Sequence, residues 1–146
     1  MLKDEYYIKI AEAVSLKSKC LKKHYGAIIV NNDEIISTGY NGAARKENEC
    51  KTCTKVVIDH RKDEATYLSC PAVHAEMNAM LGPSRQEMIG STLYLAGQDV
   101  ETGEFIAAKP CEICLRLIKN AGIDCVKNKD GILYIRNSDG KLISVG

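Results

Sequence analysis

The stretch CPAVHAEMNAML, residues 70–81, sets a His and a Glu two positions apart just behind a proline. On an ideal helix, residues two apart point to nearly opposite sides, so His74 and Glu76 could not share a site in mid-helix. A first turn is different. Side chains there lean toward the N-terminal end, and both can reach forward past the helix mouth. Pro71 predicts such a start, and Gly82-Pro83 closes the segment. His74 is then placed to hold a metal, and Glu76 to handle the protons of a water on that metal.

The complement lies in KPCEICLRLIKNAG, residues 109–122, an amphipathic helix opened by Pro110 and stopped by Gly122. Cys111 and Cys114 sit three apart at its start, hence on one face and within reach of one ion. The positive end of the helix favours thiolates, and Zn²⁺ would hold both sulfurs as such. Two thiolates and one imidazole leave the fourth position of a tetrahedral zinc open to water, the catalytic pattern and not the structural one. Taken singly these signals are weak. A lone His in an apolar helix is usually packed or on the surface, and a lone CxxC divides between metal and redox roles. The joint pattern is far more specific.

Outward from these two segments, the chain reads as an α/β protein. EYYIKIAEAVSLKSKCLKK carries a helical period with a basic C-terminal end, which makes Cys20 the end of the first helix. GAIIVNNDEIISTGYNG holds two β-branched runs around Asn31-Asn32-Asp33, a hairpin signal. STLYLAG, IDCVKN and GILYIRN are three further strands, the last two joined at Asp130-Gly131. Residues 43–70 are polar, Cys-bearing and without steady period, an insertion in a single domain spanning 1–146. The order of helices and strands predicts a three-layer α/β/α fold: a mixed five-stranded sheet flanked by helices.

Composition excludes several classes. Twenty Lys and Arg face 19 Asp and Glu, for a net charge of +1, so no polybasic footprint suggests a long nucleic acid as partner. No run is long enough for a membrane span, and the first residues lack a signal-peptide h-region. The expected location is cytoplasmic. Seven cysteines, an odd number in a chain of that kind, read as metal ligands before disulfides. Cys20, Cys50, Cys53 and Cys70 fit a closed structural zinc site that would clamp the irregular 43–70 segment. Against this, Cys20 and Cys70 could be small buried hydrophobes, and His24 or His60 could replace either. Cys125, alternating with apolar neighbours, belongs to the core.

H-x-E followed by P-C-x-x-C is the signature of the zinc nucleobase deaminases. The chain resembles the deoxycytidylate deaminases of the cytidine deaminase superfamily over most of residues 5–127, through GAIIV, IISTGYNGAA, HAEMNAML, STLYLAG, KPCEICLRLIKNAGI and CVKN in that order. TGYNGA points to this branch and not to the free-nucleoside enzymes. The resemblance implies zinc-dependent hydrolysis at C4 of a cytosine nucleotide, dCMP to dUMP, with ammonia leaving. It makes His74, Cys111 and Cys114 the zinc ligands and Glu76 the proton shuttle. Asn41 becomes a substrate contact, although Asn-Gly is also a plain turn signal. It further implies a homo-oligomer, dimer or hexamer, dCTP and dTTP as effectors, and in several relatives a second, noncatalytic zinc.

The chain departs from the family in one place. GQDVETGEFIAAK stands between the third strand and the Pro-Cys motif, and its Asp99, Glu101 and Glu104 put acidic side chains at the expected pocket rim. Phosphate ligands stay open among Arg45, Lys46, Arg85 and Lys109. Two rival readings also stay open: a deaminase of another base or nucleoside (cytidine, guanine or an RNA base), and a noncatalytic zinc-binding module.

Overall fold

The computed structural model describes residues 1–53 and 70–145. Of the expected insertion at 43–70, residues 54–69, His60 among them, lie outside the described residues.

Helix α1 (Lys3–Ser15) buries Tyr7, Ile8 and Ala11, and Asp4 and Glu5 in its first turn complement the helix dipole. It ends five residues before Cys20, which lies in the connection to the next strand and does not cap the helix. The local reason is a tightened last turn. The N–H groups of Leu16, Lys17 and Ser18 donate to carbonyls three residues back, and Ser15 Oγ donates to the Glu12 carbonyl.

Strands β1 (Lys23–Asn31) and β2 (Glu34–Tyr40) form the expected hairpin. Asn32 and Asp33 take φ of 51° and 61°, the two left-handed residues that a two-residue hairpin turn matching strand twist demands. Strand β3 (Gly42–Ala43) then leaves the main sheet and pairs with β4 (Ala72–Val73), Gly42 opposite Val73. Helices α2 (Ala75–Leu81) and α3 (Arg85–Met88) follow, and β5 (Thr92–Asp99) returns antiparallel to β1. Beyond β6 (Phe105–Ile106) comes α4 (Glu112–Ala121), the crossover that lets β7 (Cys125–Asn128) lie parallel to β5. Strands β8 (Gly131–Arg136) and β9 (Leu142–Ser144) complete the order β2-β1-β5-β7-β8-β9.

The sheet is wider than the five strands expected. Among the described residues it has seven, because β6 pairs with the end of β5 and β9 adds an edge. Two or three residues are too few to display a strand period.

Alternation along β1 assigns the layers. Ile28 and Val30 face α1 with Tyr94 and Ala96 of β5. Ala27 and Ile29 face the other way, into the larger cluster with Ala75, Ala79, Leu93, Leu95, Ile118, Ile123 and Val126. The expected α/β/α layering therefore holds, with α1 on one face and α2 and α4 on the other. Cys125 is buried in β7 as the sequence suggested.

Candidate active site

The site lies where two chain turns precede two helices on the same face of the sheet. His74 is not in the first turn of α2. It is the N-cap residue, in extended conformation (φ −72°, ψ 153°), because Ala72 and Val73 before it are held in a ladder with β3. Cys111 is likewise the N-cap of α4 (φ −73°, ψ 169°), with Pro110 just outside the helix. Its sulfur accepts the backbone N–H of Cys114 at 3.4 Å, doing the work that a Ser or Asp oxygen does in an ordinary cap.

These turns converge. His74 Nδ1 lies 3.2 Å from Cys114 Sγ and 3.5 Å from Cys111 Sγ, and all three ligand atoms fall within 4.8 Å of one another. With Zn–N of about 2.0 Å and Zn–S of about 2.3 Å, a tetrahedral ion spaces such ligands by roughly 3.5 Å, so the donor set suits zinc. Its chemistry agrees. Cys114 is fully buried, and burial first, then the charges of Glu76 and Cys111, push its thiol well above the ordinary value. Such a sulfur serves as a thiolate only beside a strong local cation, which Zn²⁺ is.

Glu76, the second residue of α2, is 5% exposed and belongs to no ligand cluster among the described residues. Burial raises its carboxyl above the usual range, opposed by its own backbone N–H and by the Cys114 thiol. A buried carboxyl whose proton affinity is moved toward neutrality is a suitable acid–base group. Tyr25 of β1 lies near enough to feel the Glu76 charge. Burial chiefly raises its phenol, with Lys23 opposing and the Glu76 charge adding.

The remaining expected residues are distributed as follows. Asn41 is buried, and its side chain is spent on β1: Oδ1 accepts the Tyr25 N–H at 2.8 Å, and Nδ2 donates to the Lys23 carbonyl at 3.0 Å. Cys20, Cys50, Cys53 and Cys70 are all half-buried. Burial raises the Cys20 thiol most, and the charges of Cys70, Glu49 and Cys50 raise it further, so these groups are neighbours. Among the described residues, however, only His74, Cys111 and Cys114 bring three ligand atoms within 4.8 Å. His24 is engaged elsewhere, its Nδ1 lying 3.1 Å from Gln98 Oε1.

Of the phosphate candidates, Arg85 stands apart. Helix α3 is tied to Asn31, whose Nδ2 donates to the Glu87 carbonyl, whereas Asn41 is tied to Lys23 and Tyr25. Six residues of β1 separate the two ends, roughly 20 Å of strand. The loop 98–109 returns to the sheet, with Ile106 opposite Gly97 and Phe105 opposite Gln98. Asp99 accepts from Lys23, and Lys129 Nζ donates to the Phe105 carbonyl. The acidic character expected at the rim is thus partly neutralised. No helix among the described residues is long and apolar enough to cross a membrane.

Sequence reasoning missed one element here. Helix α3 carries a complete capping box, Ser84 with Glu87, and the signal S-R-Q-E was present in the sequence.

Comparison with known proteins agrees with this geometry. Residues 1–128 match the family model described as the cytidine and deoxycytidylate deaminase zinc-binding region. The deoxycytidylate deaminase of Mycobacterium phage D29 is 35% identical over 127 residues, covering 84% of this chain and 91% of that one. That of Saccharomyces cerevisiae is 30% identical over 136 residues, 82% of this chain but only 43% of the yeast protein. The dCMP deaminase of cyanophage S-TIM5, solved in complex with dCMP and dUMP, superposes with a TM-score of 0.60 at 28% identity, covering 85% and 78% of the two chains. The chain belongs to the cytidine and deoxycytidylate deaminase zinc-binding family.

Proposed function

We propose that this chain hydrolyses dCMP to dUMP and ammonia. The observation that carries this is Glu76: a buried carboxyl with raised proton affinity, against Cys114 but outside the ligand cluster. His74, Cys111 and Cys114 would hold zinc, whose chemistry when bound is Lewis-acid activation of water near neutral pH. Glu76 then takes one proton from the water and passes it to N3 of the ring as the water oxygen bonds C4, and takes the second from the resulting C4 hydroxyl and gives it to the amine, which leaves as ammonia when the C4–N bond breaks. A carboxyl whose burial raises its proton affinity above the usual range is better matched to both jobs than an exposed one. The relatives named as deoxycytidylate deaminases support the substrate.

Ammonia release from dCMP, CMP, cytidine, deoxycytidine and guanine tests the reading. Turnover fastest with dCMP is expected, and no turnover of any cytosine compound overturns it.

Several finer statements belong to the same proposal. Asn41 contacts the substrate with the amide hydrogen and oxygen lone pair that its bonds to β1 leave over. A second zinc is held by Cys20, Cys50, Cys53 and Cys70, supported by the mutual influence of Cys20, Cys50 and Cys70. Metal counting by native mass spectrometry expects two zinc ions per chain; one refutes the second. Residues 1–146 act as one domain with a Cys-bearing insertion at about 43–70, since β8 and β9 extend the sheet that carries the site. The chain assembles as a dimer or hexamer, supported by Ile113 and Leu117 exposed on α4 beside the ligands. Light scattering that finds only monomers sinks this. A cytoplasmic location is supported by an odd number of cysteines, read as metal ligands and core residues before disulfides. The dCTP and dTTP effects rest on family likeness alone, and velocity against dCMP with each nucleotide added decides them.

A further inference from the structure

We propose that Gly39 and Asn78 are positioning residues for this reaction, setting the helix that carries Glu76 at one depth and one register on β2. The inference rests on the deaminase reading above, but it stands on packing that is independent of which substrate is turned over.

The depth comes from Gly39. A Cβ built there would meet the Ala75 carbonyl oxygen, the Ala79 nitrogen and the Asn78 carbonyl carbon, each closer than 3.0 Å. All three are backbone atoms of α2, so no side chain can swing aside, and a methyl group would have to lift the helix. Ala75 and Ala79 themselves are fully buried, which lets the backbones approach. The helix is thus seated backbone to backbone on β2.

The register comes from two hydrogen bonds along the same contact. Asn78 Nδ2 donates to the Tyr40 carbonyl at 2.8 Å, and Ser37 Oγ donates to the Ala79 carbonyl. Gly39 and Asn78 therefore act on the turn of α2 from Ala75 to Ala79, the turn that contains Glu76. His74 is held from two sides: by the β3–β4 ladder in which Val73 lies opposite Gly42, and by its own carbonyl, which accepts the Asn78 N–H at 3.0 Å. The ladder backs the ligand directly, whereas the carboxyl follows the seat of α2 on β2. Lifting α2 off Gly39 should swing Glu76 relative to a metal that His74, Cys111 and Cys114 still define.

The fold supplies a matched control. Gly26, on β1, is the same device on the opposite face: a Cβ there would meet the Ala11 carbonyl oxygen and the Ser15 nitrogen of α1, both closer than 3.0 Å. Gly26→Ala burdens a helix–strand contact of the same kind without touching α2. Ile8→Val, in α1, is a milder partner for it.

The test compares Gly39→Ala and Asn78→Ala with Gly26→Ala and Ile8→Val, all zinc-loaded. For the Gly39 and Asn78 variants, kcat per zinc-loaded chain should fall by about ten- to a hundredfold, the scale of an ångström of misplacement. KM for dCMP should move less than about threefold, because the loss is in the chemical step. A second readout needs no turnover. In Co²⁺-substituted protein, the visible bands of the His/Cys/Cys site should keep their positions, since the ligands are held by the ladder and α4, while active-site water exchange at the Co²⁺ changes. The Gly26 and Ile8 variants should lose thermal stability and keep kcat and both cobalt signatures. The proposal is overturned if the Gly39 and Asn78 variants keep parental kcat per loaded chain and parental water exchange. It is equally overturned if Gly26→Ala alters these as much. Should Gly39→Ala fail to fold, Asn78→Ala, at a half-buried residue, decides by the same readouts. A parent that turns over no cytosine compound overturns the substrate reading instead, and the cobalt comparison still judges the positioning.

Discussion

His74 and Cys111 hold the same place in two different helices: each is the N-cap, with extended backbone at φ −72° and −73°. That shared conformation is what brings their side chains together ahead of the helix mouths, with Nδ1 and Sγ 3.5 Å apart. It also resolves the spacing of His74 and Glu76. Residues two apart diverge on a helix flank, but here the backbone changes from extended to helical between them. One side chain leaves from a strand end and the other from a helix start, so imidazole and carboxylate can approach one point from different directions.

Glu76→Gln should abolish proton transfer while leaving the metal in place. Glu76 stands outside the ligand cluster, so zinc counted by mass spectrometry stays at the parental level. The rate of ammonia release falls by about 10² to 10⁴, the usual contribution of a positioned acid–base group. Thermal stability does not fall, because a neutral amide is easier to bury than a carboxyl. Loss of zinc in this variant would make Glu76 a ligand and remove it from the proton path.

Cys111→Ser and Cys114→Ser should both lose zinc, and the second should also lose more stability. Cys114 is fully buried against Glu76, whereas Cys111 is half-buried at the cap. Chelation of the parent should lower its melting temperature, and added Zn²⁺ should restore it. A ligand at 1,000 times its dissociation constant stabilises by about 4 kcal/mol. A melting temperature indifferent to chelator argues against a zinc held by these residues.

Core truncation calibrates these site effects. Leu93 is fully buried in the cluster beneath α2 and α4. Leu93→Ala should cost about 2–5 kcal/mol in denaturant unfolding, with zinc affinity of the folded fraction unchanged. A cost under about 1 kcal/mol would mean that this cluster is not the main core.

The carboxylates and phenols that dock α1 give a pH dependence. Tyr7 donates to Asp33 at 2.7 Å, and this bond first, then burial, pushes its phenol up to about 12. A raised folded-state value means stability is fully present below the unfolded value of 10.0 and is lost as pH rises through about 12. On the acid side, bonds from Tyr7 and Lys3 lower Asp33, and the bond from Tyr94 leads in lowering Asp4. Their contribution is present above 3.8 and is lost as pH falls through the lowered folded values. Tyr7→Phe should flatten the alkaline decline in melting temperature between pH 10 and 12. An unchanged decline in that variant would assign it to other groups.

How far the sequence could be read depended on whether a feature is local. Asn32-Asp33 between two β-branched runs is a local signal, and it forms the turn expected. The clustering of His74 with Cys111 and Cys114 was legible because the His-x-Glu and Cys-x-x-Cys segments each carry a fixed short spacing. The extended state of His74 was not, since it depends on Gly42 and Ala43, some thirty residues away, pairing with Val73 and Ala72. Pro71 looked like a helix start when it stands before a strand. The bracing role of Asn41 was hidden for the same reason: its partners Tyr25 and Lys23 lie on another strand. Gly39 read as part of a turn-rich run, and only the contact with α2 reveals why no side chain fits there.

Asn41 admits a prediction that separates brace from substrate contact. Its amide satisfies the Tyr25 N–H and the Lys23 carbonyl, and Asn41 is 7% exposed. Asn41→Ala leaves those two groups to find other partners, so stability should fall by about 1–3 kcal/mol whatever else the residue does. Asn41→Asp keeps the acceptor for Tyr25 but sets a carboxylate against the Lys23 carbonyl, and should be the worse of the two. A brace alone would lower the folded fraction and leave KM for dCMP unchanged in the molecules that fold. A residue that also bonds the nucleotide would raise KM by about tenfold in Asn41→Ala, the loss of one good polar contact. Steady-state kinetics normalised to zinc-loaded, folded chain therefore decides. An unchanged KM returns Asn41 to the structural role that its two bonds to β1 already define.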